Sequence, residues 1–432
     1  MFYLHETTRI RICRAAFVAL CVLPTCAVLA WCVSVRLPGY RLAHERLIAA
    51  QLGLRVQLTK ASSPRPDMML YEGLELSDPE TGQALARLPF VEVQTGDTKV
   101  VVKLPFPAIV NGQRLDAFWK LAHELLRQPR SWRQVTLEAG NLTLHLADRD
   151  QSFTDLHAEI RSDEDEGRLT FAFRPAIAGE KPATTADFRL SRNHDEKRPT
   201  GACRFSTGGP LPCNLVAGVW PISRHLGKAS TFQGQIAANL RGEAWEAELS
   251  GSLNEIDLNT LMGQFRHKLT GTARAQLDRV VIQQGRIEAA DGKLEAGPGT
   301  VSGSLIYAAL THLGFQAAPE VLANRDPLFN YEQLSMAFEI GPQGLAVHGT
   351  LPQSPGAILM DGQHILVSEP RFAAQNVVNL ARTLVPNSDL QAPATRETGE
   401  LINHLPVPSI ATRESEEPLP KARVLGLGPQ RR

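Results

Sequence analysis

Twelve histidines and six cysteines make metal binding and nucleophilic chemistry the first possibilities to weigh. His44 opens "HERLI" and His123 opens "HELLR", both close to the zincin pattern. That pattern needs a second imidazole four residues on, so that two ligands share one helix face. Ile48 and Arg127 hold those positions, and both histidines are expected as solvated helix residues. "GPGTVSG" from Gly297 lacks the Lys-Ser/Thr of a phosphate loop and the spacing of a dinucleotide fingerprint; it reads as a turn into a helix. No G-x-S-x-G occurs, so the nucleophile elbow of hydrolases is absent. "SDEDEG" from Ser162 clusters carboxylates that suit a hard cation, without EF-hand ligand spacing, and reads as a solvated hairpin loop. No catalytic, metal or cofactor residue is expected, and no enzymatic activity.

Composition narrows the partners and the fold. The 45 basic and 45 acidic side chains cancel, leaving no global field to draw the chain onto nucleic acid. With 33 glycines, 29 prolines and only 6% aromatics, the chain favours many short strands and turns over long helices.

"AAFVALCVLPTCAVLAWCVSV", Ala15 to Val35, carries no charge over 21 residues. That length suffices to cross a hydrocarbon core of roughly 30 Å, and Pro24 is tolerable in such a helix. A single transmembrane helix is expected, with the short N-terminal stub inside and the body outside. Four cysteines, Cys13, Cys21, Cys26 and Cys32, lie in or beside this run. The other two, Cys203 and Cys213, bracket "CRFSTGGPLPC"; they form either a disulfide in an oxidising compartment or two separate thiols.

Around these residues the elements alternate in period. "YRLAHERLIAAQLG" has helical spacing and ends on Gly53. "LRVQLTK" then switches to period two, as a half-buried strand does. "LYEGLELSDPETGQALARLPFVEVQ" reads as a hairpin about Asp78-Pro79-Glu80-Thr81-Gly82. "QRLDAFWKLAHELLRQ" interrupts as an amphipathic helix. Alternation then dominates: Val135/Leu137/Ala139 shifts phase at Gly140-Asn141, through a bulge or tight turn, to Leu142/Leu144/Leu146. It continues through Leu169/Phe171/Phe173, Ile236/Ala238/Leu240, Trp245/Ala247/Leu249 and Leu334/Met336/Phe338/Ile340. One face wet and one apolar is the signature of an antiparallel sheet. "GSLIYAALTHLGF" and "NVVNLARTLV" read as further helices, and the Pro-, Ser- and charge-rich residues after Pro386 as a disordered tail.

The order of parts resembles the AsmA-like family, related to the TamB-type and bridge-like lipid-transfer proteins. The segments that carry the resemblance are "LAHERLIAAQLGLRVQLTKA", "YEGLELSDPETGQALARLPFVEV", "VTLEAGNLTLHL" and "FNYEQLSMAFEIGPQGLAVHG". The Pro-rich tail departs from the family pattern. The resemblance implies a mainly β fold with a few helices: an N-terminal transmembrane helix, then a long, twisted antiparallel sheet curled into a groove. It implies residues 1–14 as a cytoplasmic stub, 15–35 as the span and 36–132 as a juxtamembrane helix and strand region. Residues 133–385 form the β-groove body and 386–432 the tail.

The function it implies is binding or conduction of membrane lipid along an apolar β-groove, in outer-membrane assembly or homeostasis. The location it implies is the bacterial inner membrane, single-pass, N-terminus cytoplasmic and body periplasmic. Candidate groove-lining residues are Phe232, Ile236, Ala238, Leu240, Leu334, Met336, Phe338 and Ile340. Envelope proteins are candidate partners of the tail. The alternative is a non-enzymatic envelope scaffold in which the same apolar stripes close into an ordinary β core.

Overall fold

The computed structural model describes residues 6–34, 37–127, 133–146, 150–175, 185–194, 200–216, 221–241, 244–263, 265–284, 286–323, 328–371 and 374–384. The expected tail, 386–432, lies outside the described residues.

The charge-free run does not form one continuous α-helix. Helix α1 (Glu6–Phe17) gives way to a π-helical turn at Val18–Val22, and α2 (Leu23–Ser34) follows. Pro24 has no amide hydrogen to donate to the carbonyl four residues back, and one residue earlier the Leu23 amide reaches Val18 O, five residues back. Among the described residues no helix is long and apolar enough to cross a membrane. This overturns the expected transmembrane helix and, with it, the single-pass inner-membrane location. Phe17, Leu20, Leu23, Val28 and Leu29 are exposed.

Helix α3 (Pro38–Leu52) starts on a proline and ends on left-handed Gly53, whose amide caps Ala49 O. Strands β1 (Arg55–Gln57), β2 (Lys60–Arg65), β3 (Met68–Ser77) and β4 (Ala84–Thr95) follow. The β3–β4 turn is held by the Asp78 carboxylate, which accepts from the Glu80 amide and from the Arg114 guanidinium. Strands β5 (Lys99–Leu104) and β6 (Ala108–Asn111) lead into the amphipathic α4 (Leu115–Arg127).

The sheet continues as β7 (Gln134–His145), β8 (Asp150–Ser162), β9 (Glu166–Pro175), β10 (Ala186–Asn193), β11 (Thr200–Ser206) and β12 (Leu211–Pro212). Next come β13 (Thr231–Arg241), β14 (Ala244–Asp257), α5 (Leu258–Met262), β15 (Thr272–Gln283) and β16 (Arg286–Ala296). An excursion of β17 (Gly299–Ser302), α6 (Gly303–Leu313), β18 (Gln316–Ala317), α7 (Pro319–Ala323) and β19 (Leu328–Tyr331) leads to the last strands. These are β20 (Gln333–Gly341), β21 (Gly344–Gly349), β22 (Ala357–Asp361) and β23 (His364–Ser368), before α8 (Val378–Leu384).

All but β17 and β19 belong to one 21-stranded sheet. From β7 to β11 each strand pairs antiparallel with the next, and β11 passes to β13. The chain of pairs then runs β13–β14–β15–β16 and skips to β20. Two departures from the expected antiparallel sheet occur at the start, where β5 and β6 both pair parallel with β7. A parallel pair needs a crossover connection, and α4, lying between β6 and β7, supplies it. The phase shift at Gly140 is neither bulge nor turn in β7: β7 pairs with β8 in one register throughout, and opposite it Asp155 adopts φ 51. The irregularity lies in β8, whose pairing with β9 shifts register between Thr154 and His157. "GPGTVSG" is a short strand, β17, paired with β19 ahead of α6, rather than a simple turn. "SDEDEG" is the β8–β9 hairpin loop, closed by the Asp163 amide on Glu166 O.

Cores form where helices cover the sheet. One lies under α3, with Tyr71, Leu76 and Val91 buried and Tyr40, Ile48 and Ala49 packed on them. A second lies under α5, α6 and α7, around Leu258, Ile306, Val321 and Tyr331. A third holds Leu313, Val347 and Ala381.

Candidate functional site

The register of β13 on β14 fixes which side chains share a face. Phe232 lies opposite Leu253, Gly234 opposite Gly251, Ile236 opposite Leu249, Ala238 opposite Ala247 and Leu240 opposite Trp245. The intervening Gln233, Gln235, Ala237, Asn239 and Arg241 are all exposed, whereas Phe232, Ile236, Ala238 and Leu240 are half-buried. One face of β13 is therefore fully wet and the other apolar.

Followed across the sheet, the same face makes one continuous row. Ala158, Phe171, Phe188, Phe205 and Ile236 are successive cross-strand partners. Leu249, Val280, Ala290 and Ile340 extend them. With strands about 4.8 Å apart, the row spans roughly 38 Å, longer than a single acyl chain. Its middle is aromatic: the Phe188 ring lies 6.2 Å from Phe205 and 6.1 Å from Trp119 of α4.

What covers this face changes along the row. Over β9 and β10 it is α4: a Cβ built on Gly167 would sit 2.7 Å from Leu126 O. Over β13–β16 and β20 the cover is divided: one end, around Leu253, Ala275, Ala296 and Leu334, lies under α5, α6 and α7, whereas around Leu249, Val280 and Ala290 no helical side chain is packed among the described residues. Leu249, Val280 and Ala290 are buried, and the side chains packed on them, Phe232, Ile236, Leu277, Ile282, Ile287, Phe338 and Ile340, all come from strands. Gly234 and Gly251 sit opposed in the β13–β14 pair; a Cβ on Gly251, at φ +146, would lie 2.3 Å from Gln233 O.

The lining residues expected from the sequence separate into groups. Phe232, Ile236, Phe338 and Ile340 meet around Leu249, Val280 and Ala290, with Phe232 also packed on the second core and Ile340 on the third. Ala238 and Leu240 continue it toward Trp245, which is 40% exposed. Leu334 is buried in the helix-covered core and Met336 packs against the third core. The reading of the sequence missed Phe188, Phe205, Leu249, Val280 and Trp119. All but Trp119 carried the signal of period-two alternation.

Of the two readings left open for Cys203 and Cys213, the structure shows no disulfide between them. Cys203 pairs across β13 with Ala238, whereas Cys213 bonds Ser230 O through its amide. At about 3.3 Å per residue along β13 the two sites are about 25 Å apart, far beyond the reach of a disulfide. Cys203 lies on the apolar face, where burial pushes its thiol up to about 11. It is therefore not a reactive thiolate.

His44 and His123 are packed, not solvated. The His44 ring sits 4.6 Å from Tyr40 and its Nδ1 3.2 Å from the Tyr71 hydroxyl; burial holds it below the ordinary histidine value. The His123 ring lies 4.8 Å from Trp119, with Nδ1 3.4 Å from Arg192 Nη1. Burial and then the Arg192 charge lower its pKa, against the opposing pull of Glu124. Among the described residues no group of three or more His, Cys, Asp or Glu is placed to hold a metal ion.

Compared with protein-family models, curated proteins and solved structures, the chain shows no match. The AsmA-like resemblance thus rests on the quoted segments alone.

Proposed function

We propose that this protein binds long-chain lipid along the apolar face of β13–β16 and β20, as a non-enzymatic carrier. The observation that carries the reading is the half-buried row Phe232, Ile236, Ala238 and Leu240, beside the buried Leu249, Val280 and Ala290, whose described neighbours are strand side chains. Such a face desolvates methylenes at about 0.8 kcal/mol each and asks nothing of head-group chemistry. Its five strands span about 19 Å, and the aromatic row beside it, Phe205, Phe188 and Phe171, extends the same surface under α4.

The test is detergent-free purification of the full chain, native mass spectrometry for co-purified lipid, and uptake of a pyrene-labelled phospholipid. A stoichiometric lipid adduct or saturable pyrene uptake supports the reading. A lipid-free protein that also leaves the pyrene probe in its donor vesicles overturns it.

A further inference from the structure

Alternate positions of β10 bring Phe188, Leu190 and Arg192 to the same face, and Leu190 on that face is buried. Arg192 is partnered by Gly167 on β9 and Gly201 on β11, and Gly201 by Leu240, which faces Trp245. Among the described paired positions of β9–β11, β13–β16 and β20 that share this apolar face, Arg192 is the one charged side chain.

Its setting differs from that of the arginines on the outer face. There Arg189 pairs with Asp187, Arg168 with Glu166 and Arg279 with Glu248. Among the described residues no carboxylate forms an ion pair with Arg192; its neighbour is the His123 ring at 3.4 Å. A neutral imidazole accepts a hydrogen bond without cancelling the guanidinium charge. A half-buried cation beside apolar surface is costly unless an anion meets it. On the β9 side α4 fills the gap, with Leu126 O 2.7 Å from a Cβ built on Gly167; on the β11 side a Cβ built on Gly201 would meet Ser191 O at 2.9 Å, and the next side chain across is Leu240, its Cβ 3.9 Å away.

We infer that Arg192 is an oxyanion-binding position at the end of the apolar face, so that the ligand is an amphiphile with an anionic head. The planar guanidinium fork matches a carboxylate, sulfate or phosphate through paired N–H donors. The acyl chain then leaves Arg192 over Cys203, Phe205 and Ile236, and Trp245 stands at the boundary between head and chain. This assignment rests on the lipid-binding reading above.

The experiment titrates the full chain with cis-parinaric acid and with its methyl ester, which differ only in head-group charge, and with inorganic sulfate. The acid is expected to bind at least about ten-fold more tightly than the ester, equivalent to about 1.4 kcal/mol. Arg192→Gln should remove that preference while leaving ester affinity within about two-fold, and Arg192→Lys should keep part of it. Equal affinity of the wild-type protein for acid and ester overturns the anionic-head assignment and leaves the apolar groove standing. Failure to bind either one removes both. Sulfate binding as tight as the acid also overturns the assignment, because the site would then serve a free anion.

Discussion

The apolar face of β3 and β4 and the apolar face of β13 are written with the same alternation, yet one is sealed and the other is not. Under α3, Tyr71 is 6% and Val91 3% exposed, with Ile48 and Ala49 packed on the cluster. On β13 none of Phe232, Ile236, Ala238 and Leu240 is fully buried. The difference lies in the connections. Helix α3 runs into β1 through Gly53 and one further residue, and so folds back on the first strands. Helix α4 leaves β6 and settles over β9 and β10, and the later helices gather over Leu253, Ala275, Ala296 and Leu334. The period of a strand decides which face is apolar; the neighbouring helix decides whether that face is sealed as a core or left half-buried.

Five measurements sharpen or break this contrast. The largest effect is expected from Tyr71→Ala, which empties a sealed site and should cost about 3–4 kcal/mol in urea unfolding. A loss below about 1 kcal/mol would mean that the α3 region is not a core. Next is Tyr331→Phe, at the other sealed end. Its buried hydroxyl donates to Thr270 O at 2.6 Å, and leaving that acceptor bare should cost about 1–2 kcal/mol. Tyr307, 60% exposed, is the control, and Tyr307→Phe should leave the urea midpoint unchanged.

Acid should then loosen the sealed regions before the open one. His44, His123 and His267 all have pKa values lowered chiefly by burial. His267 bridges Ser304 Oγ and Thr383 O and so ties α8 to the body. A lowered folded value means that the unfolded chain binds the proton more readily, so stability is full above about pH 6.5 and falls as pH drops below it. Hydrogen exchange at pH 5.5 against pH 7 should show α3, α4 and α8 losing protection while β13–β16 keep theirs. Uniform loss would break the contrast. A lower window belongs to Asp78, held at about 2 first by the Glu80 amide and then by Arg114. Its contribution fades from about pH 4, and Arg114→Met should abolish part of that lower transition. The smallest stability effect is expected from Ile236→Ala, about 1 kcal/mol, because much of the side chain already meets solvent. Its effect should appear instead in lipid uptake.

Much of this was legible in the residues. Alternation placed Ile236, Ala238, Leu240 and the β20 set on one face, and the 115–127 helix was plain from its apolar spacing. Strand direction was not legible, because a period of two is the same read either way; only the helix between β6 and β7 hinted at the parallel pairs. Cover was not legible either, since Leu334 and Ile340 have the same sequence character and different fates. The Gly/Pro-rich loop between Cys203 and Cys213 looked closable until the β13 register set its ends far apart. The charge-free run from Ala15 counted as one helix by hydropathy alone, which does not register a change in hydrogen-bond period. Arg192 was visible two residues beyond Leu190, but a single charge near a strand end reads as the edge of the pattern unless its partners are known to be glycines.

From β7 to β16, apart from the short β12, each rung of the sheet is bonded to the rungs that precede and follow it along the polypeptide. Such a ladder is additive: inserting or deleting one hairpin would change its length by about 9.6 Å, two strand spacings, without re-registering the rest. The reach of the apolar face proposed to bind lipid is thus a quantity that gene-level duplication of a hairpin can tune in steps. The same nearest-neighbour wiring lets the ladder assemble from its first strand onward while the remainder is still being synthesised.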